Sequence, residues 1–80
     1  MLFAHMVVLF EKDGSEDDER TICKYFKKKG AAYVDVRHNY MGMTAFFVYS
    51  VPFDEYLNIS KELNLSRKDG LPAGHYVSLK

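Results

Sequence analysis

The chain has 80 residues, enough for one compact domain over 1–80 with a single core and too few for a second. Apolar residues make up 48% and aromatic residues 15%, with six Phe and six Tyr, which excludes a disordered chain. Eleven Lys and Arg balance eleven Asp and Glu, so no net field draws the molecule to polyanions or to an anionic membrane.

Residues 2–10 are rich in Val, Leu and Phe and stop at Glu11, Lys12, Asp13 and Gly14, the pattern of a buried strand followed by a turn. Ser15 then has the chemistry of a helix N-cap. Glu16, Asp17, Asp18 and Glu19 suit the positive end of the helix dipole, and Lys27, Lys28 and Lys29 suit its negative end before Gly30. Ile22, Tyr25 and Phe26 share one helical face, with Cys23 at its margin. From Ala32 the period switches to two. Ala32, Val34 and Val36 fall on one side and Tyr33, Asp35 and Arg37 on the other, which predicts a strand buried on one face. A turn at residues 38–42 leads into a second apolar run, residues 43–50, so these segments read as a hairpin with a longer loop. Pro52 fits the first turn of a second helix whose apolar face carries Phe53, Tyr56, Leu57, Ile59 and Leu63. Residues 64–74 hold Asp69, Gly70, Pro72 and Gly74 and read as a loop. A short alternating strand over residues 75–79 ends the pattern.

The order is βαββαβ, an α+β ferredoxin-like arrangement with a four-stranded antiparallel sheet of order 4-1-3-2 and both helices on one face. The two apolar runs are strands one and three, which that order places at the centre. The two alternating segments are strands two and four, which it places at the edges.

If the helices cover Ala32, Val34 and Val36, the opposite face is open. Strand two then presents Tyr33, Asp35 and Arg37 there, and strand four Tyr76 and Ser78. The central strands, apolar on both parities, are expected to add Phe3, His5, Thr44, Phe46 and Val48. Phe3, His5, Tyr33, Arg37, Phe46 and Tyr76 are therefore the candidate binding residues. An aromatic face of this extent needs a cover. A protein partner on the open face or on a strand edge supplies one, and a twofold homodimer is its simplest form. The expectation is a small non-enzymatic binding module, of the kind that serves as an inhibitor or adaptor of a larger complex.

Other chemistries find little support. The single cysteine, Cys23, cannot form an internal disulfide, which points to a reducing, cytoplasmic compartment. Residues 2–10 are too short for a membrane span, and no basic segment or small-residue cleavage site accompanies them. The acidic residues between 13 and 19 lack the spacing of a calcium loop, and helix-dipole complementation accounts for them. His5, His38 and His75 fall on separate segments without metal-ligand spacing, and no nucleophile stands beside a base. No metal, cofactor, small-molecule substrate or enzymatic activity is expected.

The chain resembles the RNA-recognition motif in length and in element order over nearly its whole extent. Leu2, Phe3 and Ala4 look like the start of that family's strand-one motif, with Phe3 at the base-stacking position. Residues 42–49 look like its strand-three motif, with Ala45, Phe46 and Tyr49 where the family has a small residue and two aromatics. Thr44 occupies the other stacking position, and Gly42 and Met43 replace the opening basic residue and glycine. The resemblance implies an RNA-binding domain that stacks bases on Phe3 and Phe46. Zero net charge supplies little attraction for phosphates, so protein contact is the leading expectation.

Overall fold

The computed structural model describes residues 2–11 and 16–79, and of residues 16 and 17 the backbone only. The elements are β1 (Phe3–Phe10), α1 (Glu16–Lys28), β2 (Tyr33–Tyr40), β3 (Met43–Pro52), α2 (Phe53–Glu62), β4 (Leu65–Ser66) and β5 (His75–Ser78). The turn expected at Lys12, Asp13 and Gly14 and the Ser15 cap lie outside the described residues. Two helices pack on a five-stranded mixed sheet of order β2-β3-β1-β5-β4. Among the described residues no helix is long and apolar enough to cross a membrane.

β1 is a central strand because both of its faces are apolar, and Met6, Val7, Val8 and Leu9 are all buried. α1 ends where the Phe26 carbonyl accepts the Ala31 N–H at 3.1 Å and the Lys27 carbonyl accepts the Gly30 N–H at 3.0 Å. That pair of bonds requires a left-handed residue, and Gly30 supplies it at φ +99°. A Cβ on Gly30 would also lie 3.1 Å from Pro52 Cδ, so glycine lets the end of α1 sit against the start of α2.

The hairpin is tighter than its sequence implies. His38, Asn39 and Tyr40 belong to β2, and Met41 and Gly42 alone make the turn, at φ +52° and +77°. Both signs match the backbone twist of a two-residue hairpin turn. The expected loop over 38–42 is thus corrected: a bulge at Asn39, φ +55°, takes up the extra residue between the Arg37–Ala45 and Tyr40–Met43 pairs.

The sheet departs from the expected four antiparallel strands on its far side. Leu65 and Ser66 form a short strand too brief to show a period, and the chain turns back through residues 67–74. β5 therefore enters between β4 and β1, antiparallel to β4 and parallel to β1. The last long segment is an interior strand instead of an edge. His75 lies opposite Val7, just past the middle of β1, where the Val7 N–H donates to the Gly74 carbonyl at 2.9 Å.

Directly opposite residues share a face, and this decides which side of each strand meets the helices. Val34 and Val36 turn toward them, as expected, and lie opposite Val48 and Phe46. Phe46 and Val48 must follow. Phe46 accordingly sits in the helix-side core with Met6, Val8, Phe26, Val51 and Ile59, which corrects its expected place on the open face. Tyr76 lies opposite Val8 and packs against the same core, a second correction. Ser78 is buried too, its hydroxyl donating to the Leu63 carbonyl at 3.1 Å.

The helices are tied together by polar contacts. Tyr25 of α1 donates to Glu62 of α2, and Lys29 lies 2.9 Å from Glu62 and 3.7 Å from Glu55. Burial, then the hydrogen bond to Glu62, pushes the Tyr25 phenol well above its ordinary value of 10.0. The Tyr56 phenol is raised first by its bond to the Tyr76 hydroxyl, at 2.9 Å, and then by burial. A phenol raised in the folded state keeps a proton that the unfolded chain has already released. Its contribution is fully present below about pH 10 and is lost as pH climbs toward the folded value. Urea midpoints are expected to fall between about pH 9 and about pH 11; equal midpoints at the two values would contradict these assignments.

Candidate binding surface

The helix-free face divides into a covered half and an uncovered half. In the covered half Val7, Leu9, Ala45 and Val77 pack beneath Leu71, which the segment 67–74 lays across the sheet. Arg67 holds that segment in place. Its guanidinium donates to the carbonyls of Pro72 at 2.8 Å, His75 at 3.0 Å and Leu71 at 3.2 Å. Tyr40 stacks on His75 with ring centroids 5.7 Å apart, and its hydroxyl is 2.8 Å from Nε2. His75 Nδ1 faces the Ala73 carbonyl at 3.2 Å, so in the neutral ring Nδ1 donates and Nε2 accepts from Tyr40. Arg37 spans Phe47 at 4.4 Å and reaches Asp35 at 3.2 Å.

In the uncovered half, Phe3 and His5 of β1, Tyr49 of β3 and Tyr33 of β2 form a row across three neighbouring strands. Phe3, Tyr33 and Tyr49 are 56%, 58% and 37% exposed, values that leave about half of this aromatic area in water. Three of the rings touch: Tyr49 lies 6.0 Å from His5 and 5.8 Å from Tyr33. A bulge sets the row. Ser50, at φ +59°, is the extra residue between the Met6–Val48 and Ala4–Val51 pairs, so Val48 and Val51 both face the helices. Its N–H donates to His5 Nδ1 at 3.1 Å, which fixes the imidazole beside Tyr49. Leu2, whose carbonyl accepts the Phe53 N–H at 2.9 Å, is exposed as well, and so are Phe53 and Leu57 of α2.

Of the residues singled out in the sequence, Phe3, His5, Tyr33 and Arg37 lie on the open face, while Phe46 and Tyr76 lie beneath the helices. Phe47, Tyr40 and His75 were not among the candidate binding residues, and Tyr49 entered only as an aromatic of the family's strand-three motif. Phe47 and Tyr49 share a face with Met43 and Ala45, but both parities of β3 are apolar, and only the pairing of Tyr49 with Tyr33 reveals which of them is open. At the far end of the molecule a cleft opens between β1, β2 and the start of α1, floored by Phe10, Ile22 and Phe46, with His38 held 3.2 Å from Glu19. Cys23 is no activated thiol, since burial and then the charge of Glu19 push its pKa up. Among the described residues no three His, Cys, Asp or Glu groups converge on a metal position. No protein-family model, curated protein or solved structure matches this chain.

Proposed function

We propose that this chain is a small non-enzymatic binding module whose open sheet face docks a protein partner, in the manner of an inhibitor or adaptor of a larger complex. The row of Phe3, His5, Tyr49 and Tyr33 carries this reading. It is an exposed aromatic surface on neighbouring strands, with His5, Tyr49 and Tyr33 in ring contact, and aromatic anchors of this kind dominate the energetics of protein interfaces. Asp35 and Arg37 supply polar groups beside it. The frame is read as ferredoxin-like, with β5 entering between β1 and the returning β4. A single cysteine fits a reducing, cytoplasmic setting.

The test is capture of partners from the native host by the full chain, with and without nuclease, repeated with Tyr33→Ala/Tyr49→Ala. Protein partners that survive nuclease and are lost with the double substitution are the expected result, each aromatic contributing about 2 kcal/mol or more to binding. Partners retained by the double variant would remove the row from the interface. Loss of every partner on nuclease treatment would favour RNA instead. The exposed π-faces of Phe3, Tyr33 and Tyr49 support that second reading, in the style of an RNA-recognition motif, at about 1–3 kcal/mol per stacked base. Phe46, beneath the helices, takes no part in it, and the pairing of Arg37 with Asp35 leaves phosphates less well served.

A further inference from the structure

We infer that β2 is the edge through which two copies of this chain pair into one continuous sheet, antiparallel and twofold about Val36. The inference does not depend on what the aromatic row binds. The two edges of the sheet differ. β4 is two residues long and is followed at once by Arg67 and Lys68, a short and charged edge of the kind that resists further pairing. β2 runs for eight residues, is regular from Tyr33 to Arg37 before the bulge at Asn39, contains neither Pro nor Lys, and pairs along one side with β3 alone.

Charge selects both the partner and the register. Asp35 and Arg37 sit two apart on the open face of β2. A twofold axis through the edge keeps like faces together only when it passes through a residue position. Centred on position 35, it sets Asp35 against Asp35 of the second copy. Centred on position 37, it sets Arg37 against Arg37. Centred on Val36, it sets Asp35 of each copy against Arg37 of the other, so the existing pair becomes a square of alternating charges.

The helix above the strand is polarised in the same sense. α1 follows the strand direction in reverse, with Glu19 reaching His38 near the far end of β2. Asp18 and Glu19 lie toward its start, and Lys24, Lys27 and Lys28 toward its end. The same axis runs the two copies of α1 antiparallel on one side of the joined sheet. The acidic start of one then lies alongside the basic end of the other, which adds to the strand pairing. On the opposite side the two aromatic rows become parts of one broad face.

Sedimentation equilibrium of the full chain tests this. The wild type is expected to dimerise, and D35R and R37D each to weaken dimerisation by about tenfold or more, since two symmetric attractions become repulsions. An equimolar mixture of the two variants is expected to recover association as a heterodimer, because both cross-strand contacts are then of opposite sign. Tyr49→Ala, on a neighbouring strand, is expected to leave dimerisation unchanged. On the wild type alone, amide exchange in β2 is expected to slow as protein concentration rises. A wild type that stays monomeric, single variants that dimerise as well as it does, a mixture that gains nothing, a dimer lost with Tyr49→Ala, or β2 exchange independent of concentration would each overturn the inference.

Discussion

Replacing Phe46 with alanine is expected to cost about 3–5 kcal/mol of stability, enough to unfold much of a domain this small. Phe46 is 1% exposed and sits between Phe26 of α1, at 6.1 Å between ring centroids, and Phe10 of β1, at 5.4 Å. It therefore joins one helix to the two central strands, and truncating it opens a void that neither a rigid sheet nor a capped helix can fill. Tyr49→Ala, three positions along the same strand, removes a ring that already faces water and is expected to cost about 1 kcal/mol or less. Urea unfolding of the two variants measures the difference directly. A Phe46→Ala protein within about 1 kcal/mol of the wild type would mean that β3 presents its other side to the helices.

That contrast shows where the sequence is legible. The strict alternation of β2 marks Val34 and Val36 as inward because the other parity is polar. Gly30 and the preceding lysines mark the end of α1 because only a residue free to take positive φ completes the cap there. Signals of this kind place the two helices and the hairpin in an α+β chain. β1 and β3 are different: in a sheet covered on both sides, both parities of a central strand are apolar, and period two carries no information about facing. What decides it is pairing. Val36 lies opposite Phe46, and the bulges at Asn39 and Ser50 hold the valines on one side. Those bulges lie at Asn and Ser, residues whose ordinary places in loops conceal a role inside a strand. The direction of β5 was hidden for a related reason, since the two residues of β4 that reverse the chain are too few to have a pattern.

The segment that follows β4 governs how much of the sheet is open, and Leu71→Ala is expected to expose the part it now covers. Leu71 is the one side chain of residues 67–74 buried in the second core, over Val7, Leu9, Ala45 and Val77. Its loss is expected to cost about 2–3 kcal/mol, toward the lower end for a buried leucine because a surface segment can settle into part of the space. Arg67→Ala acts on the same segment by another route. It removes three charge-assisted donors from the carbonyls of Leu71, Pro72 and His75, but those groups lie near water and can be rehydrated, so about 1–2 kcal/mol is expected. Both variants should speed amide exchange over residues 67–75, and Leu71→Ala alone should also extend the exposed apolar strip from Phe3 and Tyr49 down to Leu9 and Val77. Concentration-dependent association through the open face would then increase, and it would persist in a D35R background because it does not use the β2 edge. A Leu71→Ala protein with wild-type stability and unchanged exchange would show that the segment rests on the sheet without holding it closed, and that the whole helix-free face is available to a partner.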